Sequence, residues 1–238
     1  MTTFKADQYE DAYPQGIERY FWHIARNAII ARYLRRSGLD TKSLLEIGCG
    51  RGIVVEHLRA RGIDCIGCEL APVSVPVELR GVVHAETDFA DLAIEDRNRI
   101  EGVLLCDVIE HLADPVAFLR GVRKNLPALT GILITVPARQ ELWSEWDRHY
   151  GHFRRYDLPL LRKTLAQAGF EPQHAGYFFH ALYPPAFLLR GGKLRSTAVR
   201  APSAAGLHGI VGKAFQIEEM LLPVGFPGTS AIMTAFVR

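Results

Sequence analysis

The 238-residue sequence predicts an α/β protein built on a doubly wound, mostly parallel sheet. Short apolar runs alternate along the chain with segments of helical periodicity, the pattern of successive βα units. Runs such as Val103-Leu104-Leu105-Cys106 and Ile132-Leu133-Ile134-Thr135-Val136 are apolar at consecutive positions, as strands covered on both faces are. The first run, Leu44-Leu45-Glu46-Ile47, passes straight into the turn Gly48-Cys49-Gly50-Arg51-Gly52 and then a helical segment. Glycine lets such a turn close tightly and approach a ligand where a Cβ would collide. The helix start then offers unpaired N–H groups to a polar or anionic group.

Taken in order, Ile17 to Arg36 has an apolar residue at helical spacing (Ile17, Tyr20, Phe21, Ile24, Ala28, Ala31, Leu34), with Gly38 as its cap. Ser43–Gly48 is the first strand, Ile53–Arg61 a helix and Ile63–Cys68 the second strand. A short, weak helix holding Pro72 and Pro76 follows, then strands over Val82–Ala85 and Gly102–Cys106. Asp114–Leu126 is a helix with Asp114 as N-cap and Pro115 at its first position. The rest is read as a strand over Gly131–Val136, a helix over Leu158–Ala168, a strand over Phe170–Phe178 and a closing strand over Ser230–Val237. Residues 1–38 are a helical cap, 39–178 the core, 179–224 an insertion and 225–238 the closing segment of a single domain over residues 1–238.

Hydrophobic residues make up 48% of the chain and charged residues 23%, as in globular domains. No apolar run reaches the ~18 residues of a membrane span, and the first ten residues lack an apolar signal core. The expected compartment is therefore the cytoplasm, where Cys49, Cys65, Cys68 and Cys106 stay reduced. Cys65-x-x-Cys68 has no second ligand pair at zinc spacing, and its side chains point to opposite faces of a strand, so no metal is expected. A net charge of +2 does not suggest a nucleic-acid partner. Charge is uneven, however. No acid lies between Glu171 and Glu218, a stretch holding Arg190, Lys193, Arg195, Arg200 and Lys213.

Where a dinucleotide-binding loop would carry its third glycine, Ile53 stands. The chain reads E-x-G-x-G-x-G instead. Further on comes Asp107-Val108-Ile109-Glu110-His111-Leu112-Ala113-Asp114-Pro115, a D-V-x-E-H-x-x-D-P block at matching distance from the glycine loop. Together these resemble class I S-adenosylmethionine-dependent methyltransferases, in particular the small-molecule and quinone O-methyltransferases of bacteria. The resemblance covers about Leu39–Phe178 and Gly225–Arg238. It implies a Rossmann-like, seven-stranded sheet whose last strand is antiparallel, an N-terminal helix and an insertion before that last strand. It also implies S-adenosylmethionine as cofactor, S-adenosylhomocysteine as product, and a small-molecule acceptor methylated at a hydroxyl oxygen.

For the cofactor, the expected residues are Glu46, Gly48, Cys49, Gly50 and Gly52, then Glu69 and Leu70, Asp88 and Phe89, and Asp107 and Val108. Glu69 ends the second strand, where a carboxylate accepts hydrogen bonds from both ribose hydroxyls; a plain surface acid is the alternative. Asp88 is read either as the partner of an adenine amino group or as a helix N-cap. A hydroxyl acceptor gives up a proton, and histidine is the natural base. His152 is placed first, then His149, with His111 ordering the pocket wall; each is alternatively a structural histidine of its loop. On the acceptor side the resemblance adds Trp22 and Arg26, from the helix before the glycine loop, and Arg154, Arg155 and Tyr156. The two arginines grip an anionic acceptor or pair with Asp147 or Asp157. The insertion is read as a lid, as a packed helical cap, or as a contact (residues 179–215) with a membrane surface or lipid-linked acceptor. Rival functions are a nucleic-acid methyltransferase, disfavoured because Cys106-Asp107-Val108 replaces the Pro-Pro-aromatic or Pro-Cys motif, and a non-catalytic S-adenosylmethionine-binding protein. An NAD oxidoreductase is disfavoured by Ile53.

Overall fold

The structure, a computed structural model, describes Pro14, residues 16–191 and residues 205–238. Seven strands form one sheet: β1 (Leu44–Ile47), β2 (Cys65–Cys68), β3 (Val83–His84), β4 (Gly102–Cys106), β5 (Gly131–Pro137), β6 (Phe170–Phe178) and β7 (Ser230–Val237). Their order is β3-β2-β1-β4-β5-β7-β6. The pairs β3/β2, β2/β1, β1/β4 and β4/β5 are parallel, while β7 runs antiparallel to both β5 and β6. The chain reverses its order of addition between β1 and β4, which opens a crevice beyond their carboxyl ends.

The helices are α1 (Phe21–Ser37), α2 (Ile53–Arg59), α3 (Ile94–Arg99), α4 (Pro115–Asn125), α5 (Glu145–His149), α6 (Leu158–Gln167), α7 (Tyr183–Leu189) and α8 (Ala205–Leu221). Side chains alternate along each central strand between two apolar layers. Leu45, Ile47, Val103, Leu105, Ile132 and Ile134 enter one layer, and Leu44, Leu104, Cys106 and Leu133 the other. Each such buried aliphatic side chain stabilises the fold by about 1.5–3 kcal/mol. Cys65 and Cys68 fall in opposite layers, and all four cysteines are buried and free.

Some expectations need correction. Between β2 and β3 there is no α-helix: Pro72 and Pro76 leave irregular backbone with one 3-10 turn, Val77–Leu79, after the second proline. The N-terminal helix is not continuous from Ile17. A 3-10 turn, Ile17–Arg19, stops at Tyr20, whose backbone is extended, and α1 restarts at Phe21. The Phe21 N–H that this break exposes donates to His208 Nδ1 on α8 at 3.3 Å. Helices α3 and α5 were not anticipated. Gly52 opens α2 at φ 86°, and a Cβ there would lie 2.8 Å from Leu79 and Val83, so this glycine serves packing beneath the loop.

The insertion is in part a second helical layer on α1. Phe215 of α8 stacks on Phe21 and meets Phe179 edge-on, at 5.5 and 5.1 Å between ring centroids. At Gly212 a Cβ would come within 2.8 Å of Ile24, which sets how closely α8 approaches α1. Of the basic stretch, Lys193, Arg195 and Arg200 lie outside the described residues.

Candidate active site

A cavity of about 560 Å³ lies beyond the carboxyl ends of β1, β2 and β4. This is the size and place of a small-molecule site in a doubly wound sheet. Its walls fall into two chemically different ends.

At the first end, Gly48, Glu69, Leu70, Asp88, Phe89, Asp107 and Val108 line the cavity. Gly48 sits at φ 76°, where a Cβ would lie 2.9 Å from Val108; at this position the glycine is required for the close approach of two walls. Glu69 Oε2 accepts from the Gly50 N–H at 3.0 Å and Oε1 from the Ala71 N–H at 2.9 Å. Of the two readings, Asp88 is the N-cap: its Oδ1 caps the turn Phe89–Asp91 by accepting from the Ala90 N–H at 2.9 Å, and the residue also lines the cavity. Asp107 is tied by Oδ2 to Arg26 Nη1 at 2.5 Å, and Arg26 lies 4.3 Å over the Trp22 ring. The acid of β4 thus anchors α1 to the cavity floor.

The other end brings in Trp22, His23, Glu110, His111, Trp146, Tyr150, His152 and Arg155. Its organising group is Asp147, fully buried at the third position of α5. Asp147 closes a capping box, Oδ2 accepting from the Ser144 N–H at 2.9 Å and from its hydroxyl at 3.2 Å. Oδ1 faces His152 Nδ1 at 2.9 Å and accepts from Arg155 Nε at 2.8 Å. Burial opposes the ionised carboxylate, but the hydrogen bonds from His152 and Arg155 outweigh it and hold Asp147 at about 2. An ionised Oδ1 requires a proton on His152 Nδ1, a tautomer assigned from the network, and that leaves Nε2 as the basic nitrogen. His111 meets the His152 ring edge-on at 4.6 Å; burial first and the neighbouring His152 second lower its pKa to about 4. His23 is lowered to about 3 by burial and then by Arg26. Both stay neutral at physiological pH. Glu110 is fully buried, and neither of its carboxylate oxygens has a hydrogen-bond partner among the described residues. Burial first, and then the charge of Asp107, raise its pKa well above the usual carboxylate range. Glu110, His111 and His152 bring one donor atom each within 4.8 Å of one another, a donor set suited to a small divalent cation.

Other expected residues stand elsewhere. Glu46 is buried beneath the floor, and Cys49, Gly50 and Gly52 support the loop without lining the cavity. His149 packs edge-on against Tyr150 at 4.9 Å and does not line the cavity either. Arg154 donates to the carbonyls of Leu112 and Ala113, at 3.3 and 2.8 Å, and Tyr156 is buried with its hydroxyl 3.4 Å from the Ile109 carbonyl. These two tie the loop after α5 to the segment after β4. Sequence reasoning missed Glu110, Asp147, Trp146 and Tyr150 as site residues. The signals for two of them were present: Ser144-x-x-Asp147 is a capping pattern, and Glu110 sits inside the quoted block.

Glu46 has a consequence for stability. Burial raises its pKa from 4.5 to about 8, so its contribution is complete below about 4.5 and is lost as pH rises toward 8. His23 and His111 act oppositely, but their change lies below 6.5 and is complete above it. The melting temperature of the ligand-free protein therefore falls as pH is raised from about 6.5 to 8. Glu46→Gln flattens that decline; an equal slope in the variant would exclude Glu46 as its source.

A family model described as a methyltransferase domain matches residues 21–175. Ubiquinone biosynthesis O-methyltransferase from Cereibacter sphaeroides (strain ATCC 17025) is 37% identical over 92 residues, which are 35% of this chain and 36% of that protein. The enzyme of the same name from Acinetobacter baumannii (strain AYE) is 28% identical over 94 residues, 36% of this chain and 40% of that protein. The matched region is thus well under half the length of these relatives. Two solved structures share the fold. A SAM-dependent methyltransferase from Archaeoglobus fulgidus aligns with a TM-score of 0.50 at 19% identity over 88% of this chain and 94% of that one. Magnesium protoporphyrin IX methyltransferase from Synechocystis PCC 6803 with bound SAM aligns at 0.53 and 16% identity, over 98% and 90%.

Proposed function

Because this chain belongs to the methyltransferase domain family, we propose that it transfers the methyl group of S-adenosylmethionine to a hydroxyl of a small-molecule acceptor. The observation that carries this reading is one cavity holding Glu69 at one end and an Asp147-bound His152 at the other. The first end fits the cofactor by its donor set. Glu69 supplies two carboxylate oxygens for the ribose, Asp88 a carboxylate for the adenine amino group, and Leu70 and Phe89 the apolar walls of a ring slot. Gly48 admits the aliphatic tail where a side chain would fill the space. When bound, the sulfonium supplies an activated methyl group.

The protein's part is to position the acceptor and remove its proton. His152 Nε2 takes the proton of the acceptor hydroxyl, and Asp147 stabilises the imidazolium that results. Trp146, Tyr150 and Trp22 frame that end, which suits a flat, largely apolar acceptor such as a phenol or quinol. This agrees with the matched relatives, which are ubiquinone biosynthesis O-methyltransferases.

Calorimetric titration with S-adenosylmethionine, S-adenosylhomocysteine and NAD tests the cofactor assignment. The expected result is micromolar binding of the first two and none of NAD; NAD binding alone would overturn it. Turnover of a phenolic acceptor separates an enzyme from a binding protein of the same fold. A second reading rests on Glu110, His111 and His152. A divalent cation held there would lower the pKa of an acceptor hydroxyl in place of a free base. Activity lost to a chelator and restored by one divalent metal supports it, and full activity after chelation removes it.

A further inference from the structure

We propose that the outward face of α7 and α8 docks on the surface of an anionic lipid bilayer. Helix α8 is amphipathic in the reverse sense. Leu207, Ile210, Ile217, Met220 and Leu221 recur at helical spacing and are all exposed, Ile210 at 68% and Leu221 at 76%. Three of its polar residues turn inward instead. Glu218 accepts from the backbone N–H groups of His180 and Ala181, at 3.0 and 2.6 Å, Glu219 pairs with Arg32, and His208 accepts from Phe21. Those first two contacts also fix the start of α7 beside the C-terminal end of α8. Helix α7 ends in Leu188 and Leu189, exposed at 80% and 73%, and Val224 and Phe226 extend the apolar surface past α8. Single exposed apolar residues are ordinary; a continuous set on two adjoining elements marks an interaction surface.

Charge selects the partner. The exposed ionisable side chains on this face are Arg190, which lies 3.7 Å over the Phe187 ring, and Lys213. The acids beside it are engaged within the fold: Glu218 by the His180 and Ala181 N–H groups, Glu219 by Arg32, and Glu141 by Arg139 and the Tyr183 hydroxyl. In the sequence no Asp or Glu occurs anywhere between Glu171 and Glu218. Among the described residues, an apolar stripe whose own exposed charges are Arg190 and Lys213 matches an anionic headgroup layer with acyl chains beneath. Among the described residues no helix is long and apolar enough to cross a membrane, so the match is to lying in the interface. Ala186 of α7 also lines the cavity, and His208 of α8 packs on Tyr20 of its rim at 4.9 Å. Docking would therefore set the cavity mouth against the bilayer, where a lipid-soluble acceptor resides; that last step rests on the methyltransferase reading, whereas docking does not.

The test is co-sedimentation of the full chain with phosphatidylcholine vesicles, with and without phosphatidylglycerol. Binding is expected to require phosphatidylglycerol and to weaken with salt. Ile210→Asp with Ile217→Asp should abolish it, and Arg190→Gln with Lys213→Gln should reduce partitioning about ten- to thirtyfold. All four positions are exposed, so melting temperature and S-adenosylmethionine affinity stay those of the parent. Absence of vesicle binding overturns the proposal, as does binding that both variants leave unchanged. So does a dimer in sedimentation velocity that Ile210→Asp with Ile217→Asp dissociates in the absence of vesicle binding, which would assign the face to a second copy of the chain.

Discussion

Replacing His152 with alanine is expected to lower turnover by about 10²–10⁴-fold, the usual contribution of a positioned base, while S-adenosylmethionine affinity stays within about twofold. The separation is expected because the hydrogen bond of His152 runs to Asp147, whereas Glu69 and Asp88 hold backbone N–H groups of Gly50, Ala71 and Ala90. Asp147→Asn tests the positioning role. The carboxylate holds the Nδ1–H of His152, accepts from Arg155 and closes the Ser144 box, so the amide leaves part of that network unpaired. If Asp147 acts through His152, the double variant turns over no more slowly than His152→Ala alone. A double variant slower by the product of both effects would give Asp147 a role independent of His152. Full activity of His152→Ala dismisses it as the base.

The sheet was legible because its strands are long-range in pairing but local in signal. Residues 103–106 of β4 are apolar throughout, and β1 and β5 set one polar residue each, Glu46 and Thr135, among apolar neighbours. The region between β2 and β3 was misread because helical composition there competes with two prolines, and the prolines win. In the site, Glu69 and Asp107 line the cavity as the residues that directly follow β2 and β4, since a strand dictates where the next residue emerges. The glycine loop shows the limit of motif reading. Three glycines share one pattern but do three things: Gly48 makes room in the cavity, Gly50 donates its N–H to Glu69, and Gly52 packs on Leu79 and Val83. Pairs distant in sequence left no local trace. Arg26 and Asp107 are 81 residues apart, and no spacing rule connects them. Arg154 and Arg155 are adjacent, yet one holds backbone carbonyls and the other Asp147; which way each turns is decided by the fold.

Glu69→Ala is expected to weaken S-adenosylmethionine binding by roughly 10²–10⁴-fold, from two charge-assisted hydrogen bonds of about 1.5–3 kcal/mol each. The geometry adds a second component. Glu69 also accepts from Gly50 and Ala71, so alanine releases two backbone donors and loosens the loop that forms the wall. Glutamine does not restore the site: whichever way the amide is turned, its NH₂ opposes the N–H of Gly50 or of Ala71. Ligand chemistry separates the two components. An analogue lacking the ribose hydroxyls cannot use the carboxylate, so its affinity falls in Glu69→Ala only by the loop component. A larger loss for S-adenosylmethionine than for the analogue assigns the carboxylate to the ribose. Equal losses would make Glu69 a brace for the glycine loop alone, and unchanged affinity for both would remove it from the cofactor site. A strand-end acid already held by backbone donors is an effective ribose acceptor because its orientation is fixed before the ligand arrives, so little rotamer entropy remains to be lost on binding.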